Sequence, residues 1–187
     1  MLFRSDQEVV NLTRFGLFFP EKRQFFTEGA GIFGFGRTND EGGTGQRTAT
    51  AGPLSLYYSR SIGLSGDGRE VPIIGGGRLS GNVGPYAVGF MNIETDSADY
   101  QIGSRQVHIP RANYTVARLR RNVLRASSLG AIVLNREGAV GANPYNRTLG
   151  FDGTFSLLRD SLKEVSLFGK TFSPGDNRNS AAGVVSA

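Results

Sequence analysis

The sequence predicts an all-β fold, an antiparallel up-and-down meander behind a short N-terminal helical or irregular segment rich in aromatics. Three observations carry this. From Leu54 onward apolar and polar residues alternate with period two in stretches of roughly ten residues, the pattern of β-strands with two different faces. The joints between these stretches are alternately short and long, as in a meander. Glycine makes up 27 of 187 residues, about twice ordinary usage, beside many Val, Ile, Tyr and Phe.

At the start, Met1–Ser5 stands outside the pattern that begins at Asp6 and reads as a remnant of a cloning or sequencing adapter. Residues 6–53 form the next unit, a plug-like aromatic segment followed by a Gly-rich loop. Its core is NLTRFGLFFPEKRQFFTEGAGIFGFG, Asn11 to Gly36, which holds Phe15, Phe18, Phe19, Phe25, Phe26, Phe33 and Phe35, seven of the thirteen phenylalanines. Pro20 suits the first turn of a helix and Gly29 a left-handed cap, so residues 20–29 are predicted as a short amphipathic helix. Phe18, Phe25 and Phe26 are expected to be buried. Glu21, Arg23 and Glu28 are expected to form structural ion pairs. Arg37 to Pro53 reads as a surface loop.

Residues 54–187 supply the strands. Arg78, Ser80 and Asn82 alternate with Leu79, Gly81 and Val83, and after a Gly84-Pro85 turn the chain runs back from Tyr86 to Thr95. Asn113–Leu124 and Ser127–Arg136 form the next pair. The cleanest alternation is Thr148–Leu157, with Leu149, Phe151, Phe155 and Leu157 on one face and Thr148, Gly150, Asp152, Thr154 and Ser156 on the other. Lys163–Phe172 follows, and a last strand starts at Asn179 and stops in mid-pattern, so the chain reads as a fragment. Asp96–Arg111, Glu137–Tyr145 and Ser173–Arg178 are the long joints.

Strands of about ten residues match a tilted membrane-spanning strand better than a globular one of five or six. A soluble sandwich also alternates on one buried face, and the pattern alone leaves both architectures open. No run reaches the ~18 apolar residues of a membrane helix, and no signal-peptide pattern opens the chain. Without cysteine there is no disulfide scaffold and no thiolate metal site. The net charge of +5 fits nucleic acid, anionic headgroups or a polar pore lining without choosing among them.

Several stretches resemble one family. VVNLTRF (Val9–Phe15), LFFPEKR (Leu17–Arg23), FFTEG (Phe25–Gly29), YYSRSIGL (Tyr57–Leu64) and VPIIGGGRLSGNVGPYAVGFMN (Val71–Asn92) resemble, in order and spacing, the C-terminal domain of the DUF5916 family. These are large bacterial envelope proteins with an N-terminal module like family 9 carbohydrate-binding modules. The resemblance spans most of residues 6–165, with Thr27 in place of an apolar residue. It implies a partial outer-membrane-type β-barrel of about seven or eight strands and a place in the bacterial outer membrane. Outer-membrane lipid is the implied partner, and carbohydrate would be reached through the missing N-terminal module. The role implied is an envelope channel or surface scaffold.

Within that reading Arg78, Asn82, Arg118, Arg120 and Arg136 are the candidate lumen-facing residues, and cations on such a wall would favour anions. Arg121 breaks the apolar face and is expected at the membrane border, where its side chain can reach headgroups. The run Arg118–Arg125 lacks the aromatic partners or recognition helix that nucleic acid requires, so nucleic acid is not an expected partner. Gly75-Gly76-Gly77 is not followed by Lys-Ser/Thr and reads as a bend or a close approach rather than a phosphate loop. His108 is the single histidine and cannot build a histidine cluster, and no metal or cofactor is expected.

Two other functions are considered. A secreted hydrolase of glycoside-hydrolase type needs two carboxylates across a cleft, and Glu21 with Glu28, or Asp152 with Glu94, are the candidate pairs. A soluble carbohydrate-binding sandwich would stack sugars on Tyr57, Tyr58, Tyr86 and Tyr114, without any tryptophan.

Overall fold

A computed structural model describes residues 21–35, 56–124, 127–138, 144–157, 162–174 and 180–186. Phe15, Phe18, Phe19, Pro20 and the 37–53 loop lie outside the described residues, as do Met1–Ser5.

Seven strands build one antiparallel sheet: β1 (Ile73–Val83), β2 (Tyr86–Thr95), β5 (Ala112–Leu124), β6 (Ser127–Gly138), β7 (Tyr145–Leu157), β8 (Leu162–Phe172) and β9 (Ser180–Ser186), neighbouring in that order. β3 (Ala98–Ile102) and β4 (Arg105–Ile109) form a separate hairpin inside the long β2–β5 joint. The fold class is the predicted one, an up-and-down meander. Among the described residues the sheet is open, with β1 and β9 at its edges.

Strand bounds follow the alternation closely, because β2, β5, β6 and β7 each have one face that packs and one that is more exposed. Register puts Arg78, Met91, Val116, Leu134, Thr148 and Thr171 in one row across six strands on the packed face. The next row on the opposite, open face is Leu79, Phe90, Ala117, Val133, Leu149 and Lys170.

The core lies between the packed face and the N-terminal residues. Phe26, Phe33, Phe35 and Ile62 are buried against Met91, Ile93, Val116, Ile132 and Leu167, with Leu56 and Tyr57 beside them. Two glycines make this approach possible. A Cβ on Gly89 would sit 2.9 Å from Ile32 Cγ2 and from Phe33 Cε1, and one on Gly150 would run into Leu56 and Phe35. Gly76 similarly lies against the β2 backbone at Asn92 and Ile93, the close approach expected of a strand glycine.

Four expectations are corrected. The helix is one turn, α1 (Gln24–Thr27), rather than residues 20–29. Glu28 is already extended and Gly29 takes the left-handed conformation (φ 57°), which hands the chain to a 3-10 turn over Ala30–Phe33. Phe25 is 39% exposed, because that turn directs Phe26 inward, with Phe25 edge-on to it and under Arg78. Residues 56–72 are not strand: they hold a 3-10 turn at Ser59–Ser61 and pack with the aromatic segment, so the sheet starts at Ile73. Finally, Asp96–Arg111 is not a plain loop but contains the β3–β4 hairpin, turned at Gly103 (φ 58°).

Candidate functional site

The open face concentrates exposed apolar side chains. Leu79, Val83, Val88, Phe90, Leu119, Leu129, Val133, Leu149, Phe151 and Phe168 all lie on it and are exposed, Leu79 at 70%. Toward the long joints this band gives way to a polar row on β2, β5, β6 and β7, a row that ends on β8 in the exposed Phe172. Asn92 Nδ2 donates to Asn113 Oδ1 and Thr115 Oγ1, both at 2.8 Å, and Arg147 reaches Asn135 and Glu137. Arg111 pairs with Glu94 just beyond it. Toward the short turns Arg121 stacks over Tyr86, its register partner, at 5.4 Å.

The five residues singled out as lumen-facing, Arg78, Asn82, Arg118, Arg120 and Arg136, share the packed face by register. They are not one set of free cations. Arg78 pairs with Glu28 at 3.1 Å and also donates to its backbone carbonyl, fastening the aromatic segment to β1. Arg118 is buried, its side chain 1% exposed, and is held by Asp152 beneath the ring of Phe35. Among the described residues Arg120 and Arg136 have no carboxylate partner; Arg136 lies over Tyr114.

Glu21 and Arg23 form the second tie. Arg23 donates to both oxygens of Glu21 (2.9 and 2.8 Å) and to the carbonyls of Ile62 and Ser59, and Ser59 Oγ donates to Glu21 at 2.9 Å. Partial burial pushes the Glu21 carboxyl upward, but hydrogen bonds from the Arg23 side chain, its backbone N–H and Ser59 outweigh it and hold the group below its ordinary range. Tyr57, partly buried nearby with its hydroxyl at Met91 Sδ, is shifted upward by burial first and by the Glu21 charge second. These pairs join residues 21–35 to 56–62 and to β1.

The carboxylate pairs considered for hydrolysis are not assembled. Glu21 and Glu28 are engaged by different arginines. Glu94 lies on the open face with Arg111, whereas Asp152 lies on the packed face with Arg118, so the sheet separates them. The tyrosines do not share a platform either: Tyr86 is on the open face, Tyr114 and Tyr57 on the packed side. No group of three or more His, Asp or Glu fit to hold a metal occurs among the described residues. Thr154, on the polar face of the Thr148–Leu157 alternation, is only 8% exposed.

The Arg118–Asp152 bridge and the glycines beneath the aromatics were missed by sequence reasoning. The signal available was glycine at packed-face positions of otherwise alternating strands. No family model matches the chain, and neither a curated protein nor a solved structure does. No helix among the described residues is long and apolar enough to cross a membrane.

Proposed function

We propose that this chain is part of a bacterial outer-membrane β-barrel, an envelope scaffold or channel of the kind its DUF5916-like segments imply. The observation that carries the reading is the open face. In a soluble antiparallel sheet the face turned away from the core is polar, because water meets it. Here that face bears Val88, Phe90, Leu119, Val133, Leu149, Phe151 and Phe168, bounded by Tyr86 and Arg121 at one end and by Asn92, Asn135 and Arg147 at the other. A lipid-facing band with aromatic and long cationic side chains at its borders has this arrangement.

The strands β1, β2, β5, β6, β7 and β8, of ten to thirteen residues, suit a tilted crossing. The aromatic segment over Met91, Arg118 and Gly150 covers the face that would line a lumen, which favours a plugged scaffold over an open pore. Backbone groups at the β1 and β9 edges need partners in lipid, so the test uses the full-length protein in outer-membrane-mimetic vesicles. Heat-modifiable gel migration, with the unboiled form running faster, is the expected result. A protein that stays in the aqueous phase and migrates identically boiled and unboiled would overturn the reading.

A further inference from the structure

A second site lies at the long-joint end of the sheet and does not depend on what meets the open face. There a partly open cavity of about 270 Å³ is lined by the 63–71 turn, the end of β4 and the packed-face ends of β2, β5 and β6. Leu64, Val71, Ile109 and Pro110 give it apolar walls, while Ser65, His108 and Arg136 supply the polar groups.

Each polar group has capacity to spare. Arg136 has a ring contact with Tyr114 but no carboxylate among the described residues, in contrast to Arg23, Arg78, Arg111, Arg118 and Arg147. Its guanidinium is a fork suited to a carboxylate. His108 meets Asp99 through Nδ1 at 2.7 Å, which fixes the ring and leaves Nε2 for another partner. Ser65 Oγ accepts the N–H of Arg69 at 2.9 Å, so its own hydroxyl hydrogen remains to be donated.

We infer that this cavity is a binding site for a small hydroxylated carboxylate, with Arg136 taking the carboxylate and His108 and Ser65 the hydroxyls. The volume argues for a small ligand, since sites for drug-sized molecules begin at roughly 300 Å³. Arg136 lies over one face of the Tyr114 ring, which also packs against the core, and this disfavours stacking of a neutral sugar there.

The test is isothermal titration of the folded chain with gluconate, glucose, acetate and inorganic phosphate, on the parent and on Arg136→Gln, with circular dichroism confirming the fold of both. Gluconate is expected to bind the parent more tightly than the other three. Losing the charge-assisted contact in Arg136→Gln should weaken gluconate by about ten- to a hundredfold and leave glucose unchanged. His108→Ala should weaken gluconate but not acetate. Equal binding of glucose and gluconate, no response to Arg136→Gln, or no gluconate binding by folded protein overturns the site. Phosphate binding tighter than gluconate overturns the hydroxy-acid assignment in favour of a plain anion site.

Discussion

Arg118 and Asp152 meet over Gly130. Arg118 belongs to β5 and Asp152 to β7, and their two-pronged bridge (Nη1–Oδ1 2.5 Å, Nη2–Oδ2 2.7 Å) crosses the intervening strand β6 where it has no side chain. A Cβ on Gly130 would sit 2.5 Å from Asp152 Oδ1 and 2.6 Å from Arg118 Nη1. The pair is almost fully dry, and the Nε of Arg118 is buried without a hydrogen-bond partner among the described residues.

Removing one member should therefore cost far more than a surface pair would. Asp152→Asn strands a buried guanidinium and is expected to lower stability by about 3–5 kcal/mol. Gly130→Ala is expected to be destabilising as well, by displacing the bridge. Chemical denaturation of each variant checks this, and a loss for Asp152→Asn below that of an exposed pair such as Arg111–Glu94 would refute the role assigned to burial.

The open face gives a two-sided prediction. Phe151→Arg, at a side chain 49% exposed in the middle of the apolar band, should impair membrane assembly at a cost of about 2–4 kcal/mol near mid-bilayer. Thr154, on the opposite face of the same strand, is buried and so makes no control. Asn82→Arg, exposed and on the opposite face, is the matched control and should assemble normally. Vesicle-assembly yields that fall equally for both variants would count against a lipid-facing band.

Gly150 provides a handle on the seat of the aromatic segment, where a Cβ would meet Leu56 and Phe35 more closely than Ile132 of β6. Gly150→Ala is expected to push Leu56 and Phe35 off the sheet, an overpacking cost of about 1–3 kcal/mol. Hydrogen exchange should rise in residues 21–35 and 56–62 while β5 and β6 stay protected. Uniform loss of protection across the sheet would mean that segment and sheet are one cooperative unit.

The Glu21–Arg23 tie should respond to acid. Since the folded carboxyl sits below its ordinary value of 4.5, the stability it contributes is present above that pH and is lost as the pH falls through the lowered value. Proteolysis within residues 21–35 should accelerate on acidification in the parent, and Glu21→Gln should remove that step. Arg23 is itself 37% exposed, so Arg23→Ala is expected to cost about 1–3 kcal/mol, from its hydrogen bonds to Glu21, Ser59 and Ile62, and not the full penalty of a buried charge.

If the full-length protein conducts, Arg120 and Arg136 are two packed-face cations without a carboxylate partner among the described residues. Anion preference is expected, and Arg120→Glu with Arg136→Glu should move the reversal potential toward cation selectivity in a salt gradient. An unchanged reversal potential would remove both from the conduction path.

The sheet was legible because alternation is local: Leu149 and Phe151 against Thr148 and Gly150 declare two faces without reference to any other strand. Arg121 was legible as the break in the apolar face of β5 for the same reason. The β3–β4 hairpin was missed although Ile102-Gly103-Ser104-Arg105 carries a two-residue turn signal. The Arg118–Asp152 bridge was not legible at all, since its partners lie 34 residues apart and nothing local links them. Phe25 and Phe26 look alike in sequence, and only the one-turn helix decides which is buried.

The glycine under that bridge bears on how the sheet selects its alignment as it forms. A one-residue slip of β6 would turn Ile132 and Leu134 to the wrong face, an error that hydrophobicity itself punishes. A two-residue slip keeps every side chain on its proper face, and alternation is blind to it. It would, however, bring Ser128 or Ile132 to the position of Gly130, where even the first carbon of a side chain collides with Asp152 and Arg118. The gap in β6 thus acts as a keyhole that proofreads the alignment of three strands at once, and misaligned sheets are the species that Gly130→Ala should allow to accumulate.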